Sequence, residues 1–301
     1  MKATEAIKTK SRLTKSERRE RWNTAWYMMP SLIGVLTFFL APFCVVIYYA
    51  LIDGVSSAQF VGFENFTKLF QNSAFRLALK NTGVFLVTAV PLVVLLALGL
   101  ALLLDTEVPG RSLFRTIFLS PMVVPAASVI LIWQMLFDYH GVINDLTALC
   151  GFEPLEWLKS DYGYIVVVLL FLWKNIGYNM IMFMSALNAV PKELIEVAML
   201  DGCGPVRRFF SIKLRYLSST ISFVTIMSLI NSFKVFREVY LLTGDYPYDS
   251  MYTLQHFMNN TFNNFDYQKL SSAAIVLCLI MIVIIGALLW IDNRAGRGIE
   301  E

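Results

Sequence analysis

The chain has 301 residues, of which 57% are hydrophobic and 16% charged, with a formal net charge of +3. An average soluble domain carries roughly 25% charged residues, so the balance excludes an ordinary soluble domain and asks for a lipid environment. The small positive excess reports topology, as shown below, and gives no basic face for a nucleic-acid partner.

Residues 1–24 form a basic, polar tail. The apolar run that follows is longer than the roughly 7 to 15 residues of a signal-peptide core, and no small-residue cleavage site follows it, so it is expected to stay in the mature protein. A helix needs about 20 apolar residues to cross the roughly 30 Å hydrocarbon layer. Tyr27–Ile52, Asn81–Leu104, Thr116–Phe137 and Leu270–Ile291 each meet that length without one Asp, Glu, Lys or Arg. Tyr162–Val190 and Tyr216–Leu242 are also long enough but carry Lys174, and Lys234, Arg237 and Glu238, respectively. The predicted spans are therefore six, at about 27–52, 81–104, 114–137, 162–190, 216–242 and 270–291, within a membrane domain covering 25–294. Residues 295–301 are a second short tail.

Pro91, Pro121 and Pro125 interrupt the hydrogen-bond ladders of spans two and three and predict bends there. Loops at about 53–80, 138–161 and 243–269 are long enough for short helices. The middle one is acidic, with Asp138, Asp145, Glu153, Glu156 and Asp161, and reads equally as a solvated loop or a contact surface. The cysteines Cys44, Cys150, Cys203 and Cys278 are scattered over spans and loops and imply no disulfide or metal framework.

Orientation follows from Lys and Arg, which accumulate in cytoplasmic loops. The side holding the N-terminus has eight before span one, then Arg111, Arg115, Lys192, Arg207, Arg208, Lys213, Arg215, Arg294 and Arg297. The opposite side has only Lys68, Arg76, Lys80, Lys159 and Lys269. Both termini are thus predicted to be cytoplasmic, in a multi-pass protein of the cell membrane.

The loop at 191–215 reads as two short helices with a tight elbow between them. Pro191 suits a first turn, and Glu193 and Glu196 complement the positive end of the helix dipole. Leu194, Val197 and Ala198 give an apolar stripe. Gly202 fits the left-handed residue that ends a helix, and Pro205 opens the next, where Val206, Phe209 and Phe210 repeat the spacing and Arg207 and Arg208 lie off it. Such an elbow offers either a soluble partner or the lipid surface an apolar face with a basic flank.

Ionisable groups inside spans cost roughly 2.5–3.5 kcal/mol on insertion scales and default to functional hypotheses. Lys174 falls near the middle of span four, followed by Asn175 and, a turn later, Tyr178 and Asn179. In span five Asn231, Lys234 and Glu238 share a helical face, with Arg237 at its edge. Lys174 serves either function or a buried pairing. For Lys234 and Arg237 the alternative is snorkelling to the headgroups.

Beyond these patterns, the loop resembles the EAA loop of binding-protein-dependent permeases of ABC importers: Glu196, Val197, Ala198, Asp201, Gly202, Cys203, Phe209, Ile212 and Leu214 follow its pattern. Val197 and Cys203 are small departures from Ala, and Arg215 stands where the family usually has Pro. The segments Phe60–Phe66, Phe114–Pro125, Trp133, His140–Asn144, Trp173–Met180 and Phe233–Gly244 look like the carbohydrate (sugar and glycerol-phosphate) uptake branch, the last of them like the first of its two unlike permease subunits.

The resemblance implies an all-α integral membrane fold of six transmembrane helices with a cytoplasmic coupling elbow between spans four and five. It also implies a non-enzymatic transport subunit, half of a carbohydrate pathway. Partners implied are a second homologous permease, two cytoplasmic ATPase subunits and an extracytoplasmic solute-binding protein. ATP and Mg would be used by the ATPases and no cofactor or metal by this chain. Glu196, Ala198, Asp201, Gly202, Arg207, Arg208, Phe209 and Phe210 would face the ATPase. Lys174, Asn175, Tyr178, Asn179, Asn231, Lys234, Arg237 and Glu238 would line the path, with Trp173, Phe233, Phe236 and Tyr240 as further aromatic candidates for a sugar.

Three rivals to this reading are a catalytic protein, a six-span half of a secondary transporter, and a receptor or scaffold component of a complex. A catalytic reading lacks a nucleophile or metal set, since His140 and His256 fall in loops and no Gly-Lys pair exists to build a phosphate-binding loop. A six-span half of a secondary transporter would be expected to carry coupling carboxylates at depth, and Glu238 is the one acid inside a predicted span.

Overall fold

The computed structural model describes residues 15–54, 58–105 and 109–296. Residues 1–14 of the basic tail and 297–301 of the C-terminal tail lie outside that set. In chain order the helices are α1 (Lys15–Val35), a π-helical turn at Leu36–Leu40, α2 (Ala41–Leu51), α3 (Glu64–Gln71), α4 (Ser73–Asp105), α5 (Arg111–Val123) and α6 (Ala126–Leu136). There follow α7 (Val142–Leu149), α8 (Gly163–Asn188), α9 (Lys192–Leu200), α10 (Pro205–Arg208), a second π turn at Phe209–Lys213, α11 (Leu214–Thr243), α12 (Leu254–Asn263) and α13 (Tyr267–Gly296).

Among the described residues, five helical stretches are long and apolar enough to span: Trp26–Leu51, Ser73–Asp105, Gly163–Asn188, Pro205–Thr243 and Tyr267–Arg294. The pair α5 and α6 makes a sixth if counted as one span, but it is bent by 100°. The stretch read as one span at 114–137 is therefore broken. The cause is local: the residue before a proline is pushed from the helical into the extended region. Val124, before Pro125, has φ −73° and ψ 132° and ends α5, after which Pro125 leads into α6.

Two further spans are longer than hydropathy indicates. α4 starts at Ser73, eight residues ahead of the predicted 81, because the Asn72 side chain accepts the Phe75 N–H at 3.0 Å as an N-cap and carries Arg76 and Lys80 into the helix. Span five starts at Pro205 rather than near 216: α10 passes through the π turn into α11 without a break.

The core lies where α4, α8 and α11 meet. Ala89, Val93, Ala97 and Ala101, at four-residue spacing on α4, are fully buried. Small residues on such a stripe let helix backbones approach closely, which is what drives packing when lipid is as apolar as the side chains. Phe171 and Phe183 of α8 and Leu217 and Val224 of α11 fill the remaining space. Helices α5 and α8 approach closely at Gly177, where an added Cβ would sit 1.8 Å from the Phe118 carbonyl oxygen of α5.

A second core joins α3, α4, α12 and α13 through Leu69, Phe75, Leu254, Phe257 and Ala273, the two phenylalanine rings meeting edge-on at 5.4 Å. The loop at 138–161 is folded around buried Asn144. Its amide donates to the Tyr139 and Leu155 carbonyls at 3.0 and 2.9 Å, and its oxygen accepts the Leu155 N–H at 3.1 Å and Trp157 Nε1–H at 2.8 Å. In contrast, no side chain in the most apolar window of Trp26–Leu51 is buried, and Phe38 and Phe39 are more than 70% exposed. Such surface is suited to lipid or another apolar helix, not to water.

Candidate functional site

Antiparallel α8 and α11 bring together most of the polar groups that hydropathy singled out. A cavity of about 420 Å³ is lined by Met122, Leu170, Phe171, Lys174, Asn175, Tyr178, Met227, Asn231, Lys234, Val235, Arg237 and Glu238. Seven of the eight expected path residues are on this wall. Lys174 Nζ donates to Glu238 Oε1 across the two helices. Arg237 Nη2 donates to the same oxygen at 3.4 Å. Asn231 Nδ2 donates to Asn175 Oδ1 at 3.2 Å, and the Asn175 amide donates in turn to the Phe171 carbonyl at 2.8 Å.

The environments of the charges differ. The Glu238 side chain is 5% exposed and its Oε2 is buried without a hydrogen-bond partner among the described residues, whereas Lys174 is 25% and Arg237 67% exposed. Lys234 is exposed and forms no ion pair among the described residues. A buried carboxylate costs free energy unless paired. Lys174 is the partner that helix packing provides, so the pairing alternative for this residue is realised while it still lines the cavity.

Asn179 does not line the cavity. It is 1% exposed and its Nδ2 donates to Ser228 Oγ at 2.8 Å, fastening α8 to α11 one turn away. Of the aromatic candidates only Tyr178 is on the wall. Trp173 packs beside Trp133 at 6.2 Å, Phe236 lies against His256 at 4.7 Å and beside Tyr240, and Phe233 joins the Leu86, Val90 and Leu229 cluster. Met227 went unnamed in the sequence although it continues the Asn231 face one turn back. Met122 has no local signal: it reaches the wall because α5 packs on α8 at Gly177.

The second arrangement is the elbow. α9 starts at Lys192 with Pro191 as its N-cap, and it ends where Gly202 turns to φ +73°. There the Gly202 N–H donates to Met199 O at 3.0 Å and the Cys203 N–H to Ala198 O at 2.9 Å, closing the left-handed C-terminal motif. The inner side is a cavity of about 250 Å³ formed by Leu102, Ile195, Met199, Pro205, Arg208, Phe209 and Lys213. Lys213 also pairs with Asp105 at the end of α4 at 2.7 Å. The outer side leaves Leu194, Val197, Leu200, Val206 and Phe210 exposed, along with Glu196, Asp201 and Arg207. Ala198, Arg208 and Phe209 are half-buried, the last with its ring 5.0 Å from that of Phe210.

Residues 106–300 match the protein family described as "Binding-protein-dependent transport system inner membrane component". The sn-glycerol-3-phosphate transport system permease protein UgpA of Yersinia pseudotuberculosis is 32% identical over 271 residues, covering 88% of this chain and 91% of the relative. The protein of that name from Pectobacterium atrosepticum is 30% identical over 274 residues, covering 89% and 92%. Among solved structures, a chain of a bacterial ABC transporter involved in import of the acidic polysaccharide alginate superposes with a TM-score of 0.77 at 20% identity, covering 93% of this chain and 98% of its own. A chain of the bacterial alginate ABC transporter in complex with an alginate pentasaccharide-bound periplasmic protein does so at 0.77 and 21%, covering 93% and 97%. The last two establish a shared fold.

Proposed function

The chain belongs to the family of binding-protein-dependent transport system inner membrane components, and from that premise we propose that it is the permease subunit of an ATP-driven importer, forming half of the pathway for a carbohydrate. It is a multi-pass membrane protein. The family match over residues 106–300 carries the reading. Relatives named for glycerol phosphate and a fold neighbour named for alginate support a polyhydroxylated solute. Carboxamides, ammonium groups and a phenol, such as those of Asn175, Asn231, Lys174 and Tyr178, are the groups that hydrogen-bond hydroxyls.

In this reading a second, homologous permease completes the pathway, and an extracytoplasmic binding protein delivers solute, as the complex of the fold neighbour with a periplasmic protein supports. Both termini and the elbow are cytoplasmic, and two ATPase subunits, using ATP and Mg, grip the elbow. Its exposed apolar face, flanked by Glu196, Asp201 and Arg207, is the shape a soluble partner would seat. Because α10 continues into α11, a push on α10 would be carried along one rod to Lys234 and Glu238 without a flexible joint.

The test is reconstitution of the chain with its partner permease, ATPase and binding protein in liposomes. Uptake of a labelled sugar should require all four components and ATP. Uptake by the chain with no ATPase present, or labelling of Cys203 from the exterior, would overturn the reading.

A further inference from the structure

A push on the elbow has a second way into the membrane besides the α10–α11 rod. Lys213, the last residue of the π turn, pairs through Nζ with Asp105 Oδ2 of α4 at 2.7 Å, across 108 residues of sequence. The two side chains are 28% and 23% exposed, so solvent screens the pair less than it would a surface pair. Asp105 is the last residue of α4, where the negative end of the helix dipole disfavours a carboxylate. Nothing in α4 itself therefore calls for an acid there, and the lysine across the gap supplies its partner.

The place of the pair is particular. Leu104, beside Asp105, and Leu217, one turn beyond Lys213, are buried in the core that α4 and α11 share. On the other side lies the inner cavity of the elbow, about 250 Å³, whose wall includes Leu102 of α4, Phe209 and Lys213 itself. The ion pair stands between packed core and open space, and it is made wholly within this chain.

We propose that Asp105 and Lys213 are positioning residues of the coupling route: they lock α4 to the elbow, so that ATPase motion drives spans two and five together. The inference rests on the permease reading and adds a second route to it.

The physical ground is the difference between apolar and ionic contacts. The faces that α4 and α11 present to each other are apolar, and packed helices of that kind shear past one another at small cost, because lipid is as apolar as the side chains. A push on the elbow could then be spent in closing the cavity behind it, leaving α4 in place. An N–H to carboxylate bond is directional, and stretching it in a partly dry site forfeits Coulomb energy that water does not return in full. The pair is therefore a stay across the open side of the elbow, fixing the register of the two helices where apolar packing would let it slip.

The test uses the complete importer in lipid nanodiscs, with Cys44, Cys150, Cys203 and Cys278 each replaced by serine and nitroxide labels on introduced cysteines. Leu200→Cys reports the elbow, Leu95→Cys reports α4, and Val283→Cys on α13 is the reference for both; all three positions are exposed. Pulsed electron-resonance distances are taken without nucleotide and with Mg-ADP trapped on the ATPases by vanadate. In the parent, elbow and α4 should both shift against α13. Lys213→Met and Asp105→Asn should each keep the elbow shift and largely lose the α4 shift. Asp105→Asn carries the test if Lys213→Met fails to assemble, and it also removes the acceptor that Arg208, on the same cavity wall, could otherwise reach. Lys213→Arg should retain the α4 shift, and exchanging the charges with Asp105→Lys and Lys213→Asp should restore it. An α4 shift absent in the parent or unchanged in both single variants would overturn the proposal. So would loss of both shifts together, the mark of a merely structural contact, or a loss that neither Lys213→Arg nor the exchanged pair avoids. An elbow that does not move with nucleotide in the parent would instead count against the permease reading itself.

Discussion

Replacing Lys174 by Met removes an ammonium group with little change in shape and leaves the Glu238 carboxylate, 5% exposed, with one remaining donor. That donor, Arg237, is 3.4 Å away and two-thirds exposed, so solvent screens most of its contribution. Deleting one partner of a buried pair costs about 3–5 kcal/mol, and the residual Arg237 contact places Lys174→Met at the lower end, about 3 kcal/mol. Glu238→Gln should cost less, about 1–2 kcal/mol, because Lys174 is a quarter exposed and can turn to water in the cavity. The double variant should cost well under the sum, with a coupling energy of about 1–3 kcal/mol. Thermal unfolding of the detergent-solubilised chain, followed by its own tryptophan fluorescence across all four forms, measures this. Effects that add to within about 0.5 kcal/mol would show that the pair is not a coupled unit and refute the reasoning.

Gly177→Ala would drive a methyl group to 1.8 Å from the Phe118 carbonyl oxygen and must push α5 off α8, so it should destabilise by about 1–3 kcal/mol, read as lost thermal stability. Gly99→Ala, on α4 with open space beside it, should be neutral or stabilising by up to about 1 kcal/mol in the same assay. Gly202→Pro cannot reach φ +73° and loses the N–H bonded to Met199, so ATP-dependent uptake should vanish while the protein still inserts; retained uptake at normal expression would remove the elbow from the coupling route. His256 of α12 is fully buried, its Nδ1 at Thr253, and burial lowers its pKa from 6.5 to about 4. The native state therefore refuses a proton that the unfolded chain accepts. The full stability exists above pH 6.5 and declines by roughly 3 kcal/mol as pH falls toward 4, a loss that His256→Gln should largely abolish in melting curves taken across that range.

Features set by near neighbours were legible from residues alone. Charge-free runs of about 20 residues locate spans because the hydrocarbon layer has a fixed thickness. Gly202 and Pro205 locate the elbow because a left-handed turn and a donor-less first turn each favour one residue type. Even the break of α5 from α6 was written locally, in Pro125 acting on Val124, though its 100° size was not. The Asn72 cap that lengthens α4 was equally local and was hidden only because hydropathy weighs apolarity and ignores side-chain caps.

What the tertiary structure alone decided is which polar group meets which. Lys174 and Glu238 are 64 residues apart, and nothing in either neighbourhood selects the other. Asn175 and Asn179 look equivalent in sequence, yet one lines the cleft and the other is sealed against Ser228. Met122 reaches the wall only through the contact at Gly177. Backbone and hydropathy preferences act over a few residues, whereas the rotation of a helix about its axis, and so the face it turns to a cavity, is set by packing against distant segments of the chain.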